Sequence, residues 1–385
     1  MTPGLPEQAD VAIVGAGVMG CSLAFYLARA GASVVVFERG AIGQGATGAC
    51  AGGIRAQFST EVNVRLGMAA KRVLGAFDAE TGFSADFRRI GYLFLLTTDD
   101  ERRTFAESVR MQRGLGLEDV RELTPRQARE LVDGLQTDDL SGATFCPSDG
   151  LAGPNEVTHG YAAAARRLGA RIVEDCPVVG FATHADSVRG VRTAMGETSS
   201  PVSVICAGPW AGSVAGLAGL DVPISPSRRQ IFQTEPFNGL RRDAPMTIDF
   251  HSSFYFHPES GGVLFGMSDP GQPPGFELAV DWTFLERISA VAQTRWPRLL
   301  QAGVTNAWAG LYELTPDSQP LIGAVTSRPG LWIAAGFSGH GFMMGPVVGR
   351  LLADMILGRV PEIDLQAFDP DRFGAGRLRP ERNVV

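Results

Sequence analysis

The chain has 385 residues, 45% hydrophobic and 19% charged, with a net charge of −7. That length exceeds one ordinary core and predicts two domains. The acidic balance argues against nucleic acid or an anionic membrane surface as partner.

The opening MTPGLPEQAD has neither a basic start nor an apolar stretch, so no signal peptide is expected. An apolar run follows, Val11-Ala12-Ile13-Val14, then Gly15-Ala16-Gly17-Val18-Met19-Gly20. A helix-compatible segment closes near Gly31, and a second apolar run, Val34 to Phe37, ends at Glu38. Strand, glycine turn, helix, strand and acid in this register form a dinucleotide fingerprint. Gly15 makes the tight turn, Gly17 lets the backbone approach a pyrophosphate, and Gly20 lets the helix pack on the sheet. The phosphates would rest on the helix N-terminus and Glu38 on a ribose. At this point NAD and FAD are equally open.

Residues 40–58 are small and glycine-rich but contain Ile42, Ile54, Arg55 and Phe58, a backbone wrapped round something rather than a linker. A helix is predicted over 61–79, a buried strand over Ile90–Leu96, and a charged helical excursion over 99–134. Another helix, 156–168, precedes strands at 171–174, 177–181 and 202–207. The last of these enters a second glycine turn, Ala207-Gly208-Pro209-Trp210. Residues 224–268 read as an antiparallel sheet, 281–300 as an amphipathic helix and Val304–Leu311 as a strand. A strand at Leu331–Ala335, a glycine loop and a helix starting near Gly345-Pro346 close the pattern. The dinucleotide-type strands come from 8–40, 170–210 and 304–357. No apolar run is long enough to span a bilayer. The five cysteines form no CxxC pair, which predicts reduced thiols, a cytoplasmic setting and no metal site.

Three motifs, GATGACAGGIR at 45–55, CAGPWAG at 206–212 and ELTPDSQPLIG…GLWIAAGFSGHGFMMGP from 313 to 346, join the fingerprint. Together they resemble the FAD-dependent amine oxidoreductases of the D-amino-acid oxidase superfamily, in the branch of sarcosine and glycine oxidases. The resemblance implies an α/β fold: a Rossmann-like FAD-binding domain interleaved with an α+β substrate domain built on an antiparallel sheet. The FAD domain would comprise 1–80, 145–222 and 304–385, and the substrate domain 81–144 and 223–303. It further implies extended FAD. Gly15, Gly17, Val18, Met19 and Gly20 would lie at the pyrophosphate, with Glu38 and Arg39 at the adenosine ribose. Gly45, Ala46, Thr47, Ala51, Gly52 and Gly53 would thread past the pyrophosphate and flavin, and Val178 would flank the adenine. Ala207, Gly208 and Trp210 would run along the cofactor. Gly310, Leu311, Gly339, His340, Gly341, Phe342 and Met343 would border the isoalloxazine, whose negative charge on reduction suits a helix N-terminus. The cysteine that bonds flavin in monomeric sarcosine oxidases falls at Gly310. The histidine of the dimethylglycine dehydrogenase type falls near Thr47-Gly48. Non-covalent FAD is therefore implied.

For the substrate, Arg55 aligns with the carboxylate-binding arginine of the sarcosine oxidases, and arginine suits a carboxylate by its bidentate geometry. The second basic anchor falls at Met343 and is absent; Arg229 is a candidate, with structural pairing its commoner role. Tyr255 and Tyr312 would wall the amine pocket, and His340 would tune flavin or amine. The implied reaction is C–N oxidation of an α-amino acid. The favoured substrate is an N-substituted glycine, sarcosine-like or with a bulkier apolar substituent. An imine forms and hydrolyses to amine and glyoxylate, and O2 becomes H2O2. The oxygen-activating lysine of monomeric sarcosine oxidases is missing, since Lys71 is the only lysine and stands elsewhere. A dehydrogenase of the proline, dimethylglycine or D-amino acid type, passing electrons to a quinone or partner, is the alternative. A non-catalytic flavoprotein is a further one.

Overall fold

The computed structural model describes residues 4–384; Met1–Pro3 and Val385, which begin and end the segments read above, lie outside it. A six-stranded sheet runs in the order Leu321–Ala324, Leu331–Ala335, Val202–Ile205, Val11–Val14, Val34–Phe37, Arg171–Val173. All its pairings are parallel except that of Leu321–Ala324 with Leu331–Ala335. Val11–Val14 and Val34–Phe37 are buried at every position, as parallel strands covered on both faces require. The helices Val18–Arg29 and Gly341–Ile356 each follow a strand of this parallel set, so both begin at its carboxyl edge. They pack tightly. Ser22 Oγ donates to the Gly345 carbonyl at 2.8 Å, and a Cβ on Gly349 would collide with the Ser22 side chain.

An eight-stranded sheet forms the second layer, in the order Val304–Leu314, Ser225–Thr234, Gly262–Met267, Phe254–Glu259, Met246–Asp249, Tyr92–Leu96, Gly142–Cys146, Arg121–Leu123. Here two expectations are corrected. Val304–Leu314 does not join the dinucleotide strands. It pairs with Ser225–Thr234 along its whole length, because Leu331–Ala335 already occupies the place beside Val202–Ile205. The last helix begins at Gly341, not near Pro346. Pro346 is tolerated inside it at the loss of one backbone bond. The segment 61–79 also divides, into helices Glu61–Gly75 and Phe77–Thr81. The strand expected at 177–181 does not join the dinucleotide strands: Val178–His184 forms a small sheet with Ser187–Thr193 and Gly196–Ser199, two strands that were not anticipated. Among the described residues no helix is long and apolar enough to cross a membrane, and the five cysteines are free.

Two buried polar knots fix the backbone near the cavities. Lys71 Nζ lies 2.8 Å from Asp149, which also accepts from the Ala56 amide at 3.1 Å and Gln57 Nε2 at 3.2 Å. Burial pulls the Lys71 pKa down, but the Asp149 carboxylate more than restores it, so the ammonium stays charged. The chain's single lysine thus pins the segment that carries Arg55. Replacing it, Lys71→Met, leaves Asp149 as an uncompensated buried charge. The expected loss is about 3–5 kcal/mol in denaturant unfolding; a loss below about 1 kcal/mol would contradict this role. In the second knot, Arg372 grips Asp317 at 2.9 Å and Glu381 accepts from the Ser59 amide at 2.7 Å. The aspartate of the TPDSQ motif therefore anchors the C-terminal segment.

Candidate active site

A cavity of about 670 Å³ lies against the carboxyl edge of the parallel sheet, within the roughly 300–1,000 Å³ range of cofactor pockets. One end is the fingerprint. Gly15 has φ 109°, and a Cβ there would strike the Cys206 carbonyl; a Cβ on Gly20 would strike the carbonyl of Gly15. Gly17, Val18, Met19, Glu38 and Arg39 line the wall, with Gly45, Ala46, Thr47, Val178, Ala207, Gly208 and Trp210. Thr47 Oγ1 accepts from the Val18 amide at 3.2 Å, and Glu38 accepts from Ala16 and Gly40 amides at 2.8 and 3.0 Å. Arg39 stacks 3.6 Å over the Trp210 ring, whose other neighbour is Phe276 at 5.7 Å between centroids. The far end is formed by Gly310, Leu311, Tyr312, Gly339, Gly341 and Phe342.

There a second cavity of about 100 Å³ adjoins, sharing Gly310, Tyr312, Gly339 and Phe342 with the first. Its walls carry Arg55, Arg229, Tyr92, Tyr255, His340 and Met343, with Ala51, Gly52 and Gly53. Gly339 is left-handed at φ 94°, and a Cβ there would run 2.5 Å from the Tyr312 ring, so the glycine loop and this tyrosine are fitted together.

The electrostatics of the small cavity are unusual. Arg55 is fully buried; it donates to the carbonyls of Gln57 and Asn383 and lies 3.0 Å from His340 Nε2. A guanidinium cannot accept, so Nε2 is the acceptor and the ring proton sits on Nδ1. Burial, helped by the Arg55 charge, holds the His340 pKa well below its ordinary value, so the ring is neutral. Arg229 bonds Ser227 Oγ at 2.8 Å and stacks 4.9 Å from the Tyr312 ring centre, but its buried Nε has no partner. Neither arginine pairs with a carboxylate among the described residues. Burial pushes the hydroxyls of Tyr92, Tyr255 and Tyr312 up, so all three are neutral donors.

Residues 10–355 match the family model described as FAD dependent oxidoreductase, DAO. The chain belongs to that family. As a member of the DAO family it is an FAD-dependent oxidoreductase. It is 30% identical to glycine oxidase of Geobacillus kaustophilus, over 96% of this chain and 98% of that protein. It is 29% identical to mitochondrial sarcosine dehydrogenase of Homo sapiens over 96% of this chain, but spans only 42% of that protein's length. Among solved structures, L-proline dehydrogenase from P. horikoshii superposes with a TM-score of 0.92 at 34% identity, covering 97% of this chain and all of that one.

The long cavity fits FAD. A Cβ on Gly15 or Gly20 would strike backbone in the glycine cradle, two helix N-termini face the cavity, and the Glu38 carboxylate lines the wall where a ribose would lie. The sites named from sequence thus come together around two adjoining cavities, with divisions of labour. Gly20 lines neither cavity and serves packing; His340 and Met343, expected at the isoalloxazine, line only the small one, as do Ala51, Gly52 and Gly53. Lys71 lines neither. Gln44, Cys50, Leu278 and Glu313 at the long cavity, and Tyr92 at the small one, were missed. Glu313 had a signal: it follows Tyr312 on a strand and so must face the opposite side.

Proposed function

We propose that the chain oxidises the C–N bond of a compact secondary α-amino acid, of sarcosine or proline size, in the small cavity. One observation carries the reading. Two arginines without carboxylate partners face a cavity of about 100 Å³ that opens on the Gly310–Tyr312 end of the FAD cavity. Bound FAD supplies a two-electron acceptor for the hydride leaving the α-carbon or N-substituent. The chain's own groups do the positioning. Arg229 stands in for the basic anchor missing at Met343 and shares the carboxylate with Arg55. The two positive charges and the burial favour the free amine over the ammonium, which is the form that can be oxidised. The tyrosine hydroxyls and neutral His340 offer hydrogen bonds without adding charge. Apolar walls at Met246, Ile248, Met267 and Met343 exclude water.

The small volume favours this over an N-substituent much bulkier than methyl. The same volume agrees with what the glycine oxidase and L-proline dehydrogenase relatives are named for. For the acceptor, O2 remains the first reading, with Arg229 or Arg55 as the activating cation. The neutral His340 favours the second, a dehydrogenase handing electrons to a quinone or partner protein. Supplying substrate in air and following peroxide against dye reduction decides between them. Fast peroxide release supports the oxidase, and dye-dependent turnover without peroxide the dehydrogenase. We also propose that the six-stranded sheet marks the FAD domain and the eight-stranded sheet the substrate domain. FAD is held without a covalent bond: Gly310 has no side chain, and burial pushes the Cys50 thiol up to about 12, far from a reactive thiolate. Acid precipitation is expected to leave a colourless pellet and a yellow supernatant; a yellow pellet would show attachment.

A further inference from the structure

Glu313 is a buried carboxyl that its own fold satisfies only in part: the Gly336 and Phe337 amides bond it, and one oxygen is left over. It is 9% exposed, and its Oε2 has no hydrogen-bond partner. It lines the long cavity but not the small one. Its oxygens stand between two glycines: Oε2 is 3.8 Å from where a Cβ on Gly208 would be, and Oε1 3.5 Å from one on Gly341. Gly341 belongs to the Gly310–Tyr312 end of the cavity, and Gly208 follows Cys206 and Ala207, which Gly15 of the fingerprint touches. The fingerprint and Glu38 mark one end, and Gly310 and Tyr312 the other. An FAD stretched between these ends would bring its sugar-alcohol linker near Glu313.

We propose that Glu313 is a cofactor-binding residue: its free carboxyl oxygen hydrogen-bonds the ribityl chain of FAD. No ion pair is available to satisfy an ionised Glu313, which is absent from the salt bridges of the described residues. The titratable groups around it are few. The turn after Val202–Ile205 brings the Cys206 thiol, and the start of the last helix brings His340, neutral as shown above. The three-residue turn Gly208–Trp210 brings none. Its neighbours on the paired strand are Pro226 and Ser227, then Arg228. Tyr312 and Arg229 belong to the opposite face of the sheet, and Glu38 and Arg39 to the far end of the cavity. Burial pushes Glu313 up to about 7, against the pull of the Gly336 and Phe337 amides. The proton is therefore held at slightly acidic pH and lost above about 7; FAD closing over an ionised Glu313 would bury a charge that has no counter-ion, so binding weakens as pH rises.

The inference rests on FAD binding, not on the amine substrate, so its test uses no turnover. Diluting the holoenzyme and following fluorescence of released FAD gives Kd for wild type, Glu313→Gln and Glu313→Leu. From about pH 6 to about pH 8.5 the wild-type Kd should rise about tenfold, the size of one buried hydrogen bond. Gln keeps a donor and an acceptor without titrating, so its Kd should stay near the wild-type acid value at both pH values. Leu should bind about tenfold more weakly throughout. Displacement of FAD by ADP, which lacks the ribityl chain, should give the same ADP affinity in all three proteins. A wild-type Kd that does not change with pH, or a Leu variant that binds as wild type does, would overturn the proposal. So would an ADP affinity that falls with the FAD affinity, since the contact would then be to phosphate. The isosteric Gln variant keeps the test open if Leu fails to fold.

Discussion

Arg229→Ala should lower kcat/KM for the amino-acid substrate by about 100-fold, mostly through KM. The variant leaves the substrate carboxylate facing an incomplete partner in a buried site, which costs about 3 kcal/mol. Arg229 is suited to the role because its Nε is buried and unpaired and its plane lies on Tyr312, at the junction of the two cavities. Arg229→Lys keeps the charge but loses the fork, so it should recover only part of the loss. Steady-state kinetics with FAD content measured in parallel checks this. Unchanged KM at full FAD occupancy would return the whole carboxylate to Arg55. Arg55→Lys carries a different signature. Its guanidinium also ties Gln57, His340 and the Asn383 carbonyl together, so the variant should lose thermal stability as well as affinity.

The second large effect falls at the other end of the long cavity. Gly15→Ala should yield protein that is colourless as purified, with FAD affinity reduced at least about 100-fold. The residue sits at φ 109°, which L side chains rarely adopt, and its Cβ would meet the Cys206 carbonyl, a backbone atom that cannot swing away. Gly17→Ala offers the contrast. Its Cβ would approach only the Thr47 hydroxyl, at 3.1 Å, and its φ is ordinary, so a milder loss is expected. FAD titration followed by visible absorbance distinguishes the two. A fully yellow Gly15→Ala protein would mean that the turn can relax and that the fingerprint is not the phosphate cradle.

The contrast between these two ends shows what could be read in the chain before its structure. The fingerprint is local: its turn, helix and acid lie within thirty residues, and spacing alone carries the geometry. The C-terminal loop was legible for the same reason, although the helix start was displaced by four residues, because proline usually marks a first turn and here does not. The substrate end depends on pairings that spacing does not encode. Arg229 faces the cavity only because Ser225–Thr234 lies against Val304–Leu314, in a register that sets Arg229 opposite Gly310. Arg55 is tied down by the Asn383 carbonyl, 328 positions away. Glu313 could have been found by alternation from Tyr312, once that strand was known to edge the cofactor cavity. Lys71 lines neither cavity, and its bond to Asp149 belongs to tertiary structure alone.

The most direct measurement is anaerobic: sarcosine, L-proline, glycine and a bulky N-alkylglycine are each added to the purified holoenzyme, and the visible FAD absorbance is followed. The account predicts rapid bleaching by a compact secondary amino acid, slower bleaching by glycine, and little by the bulky compound. Bleaching by none of them, or by the bulky compound alone, would contradict it.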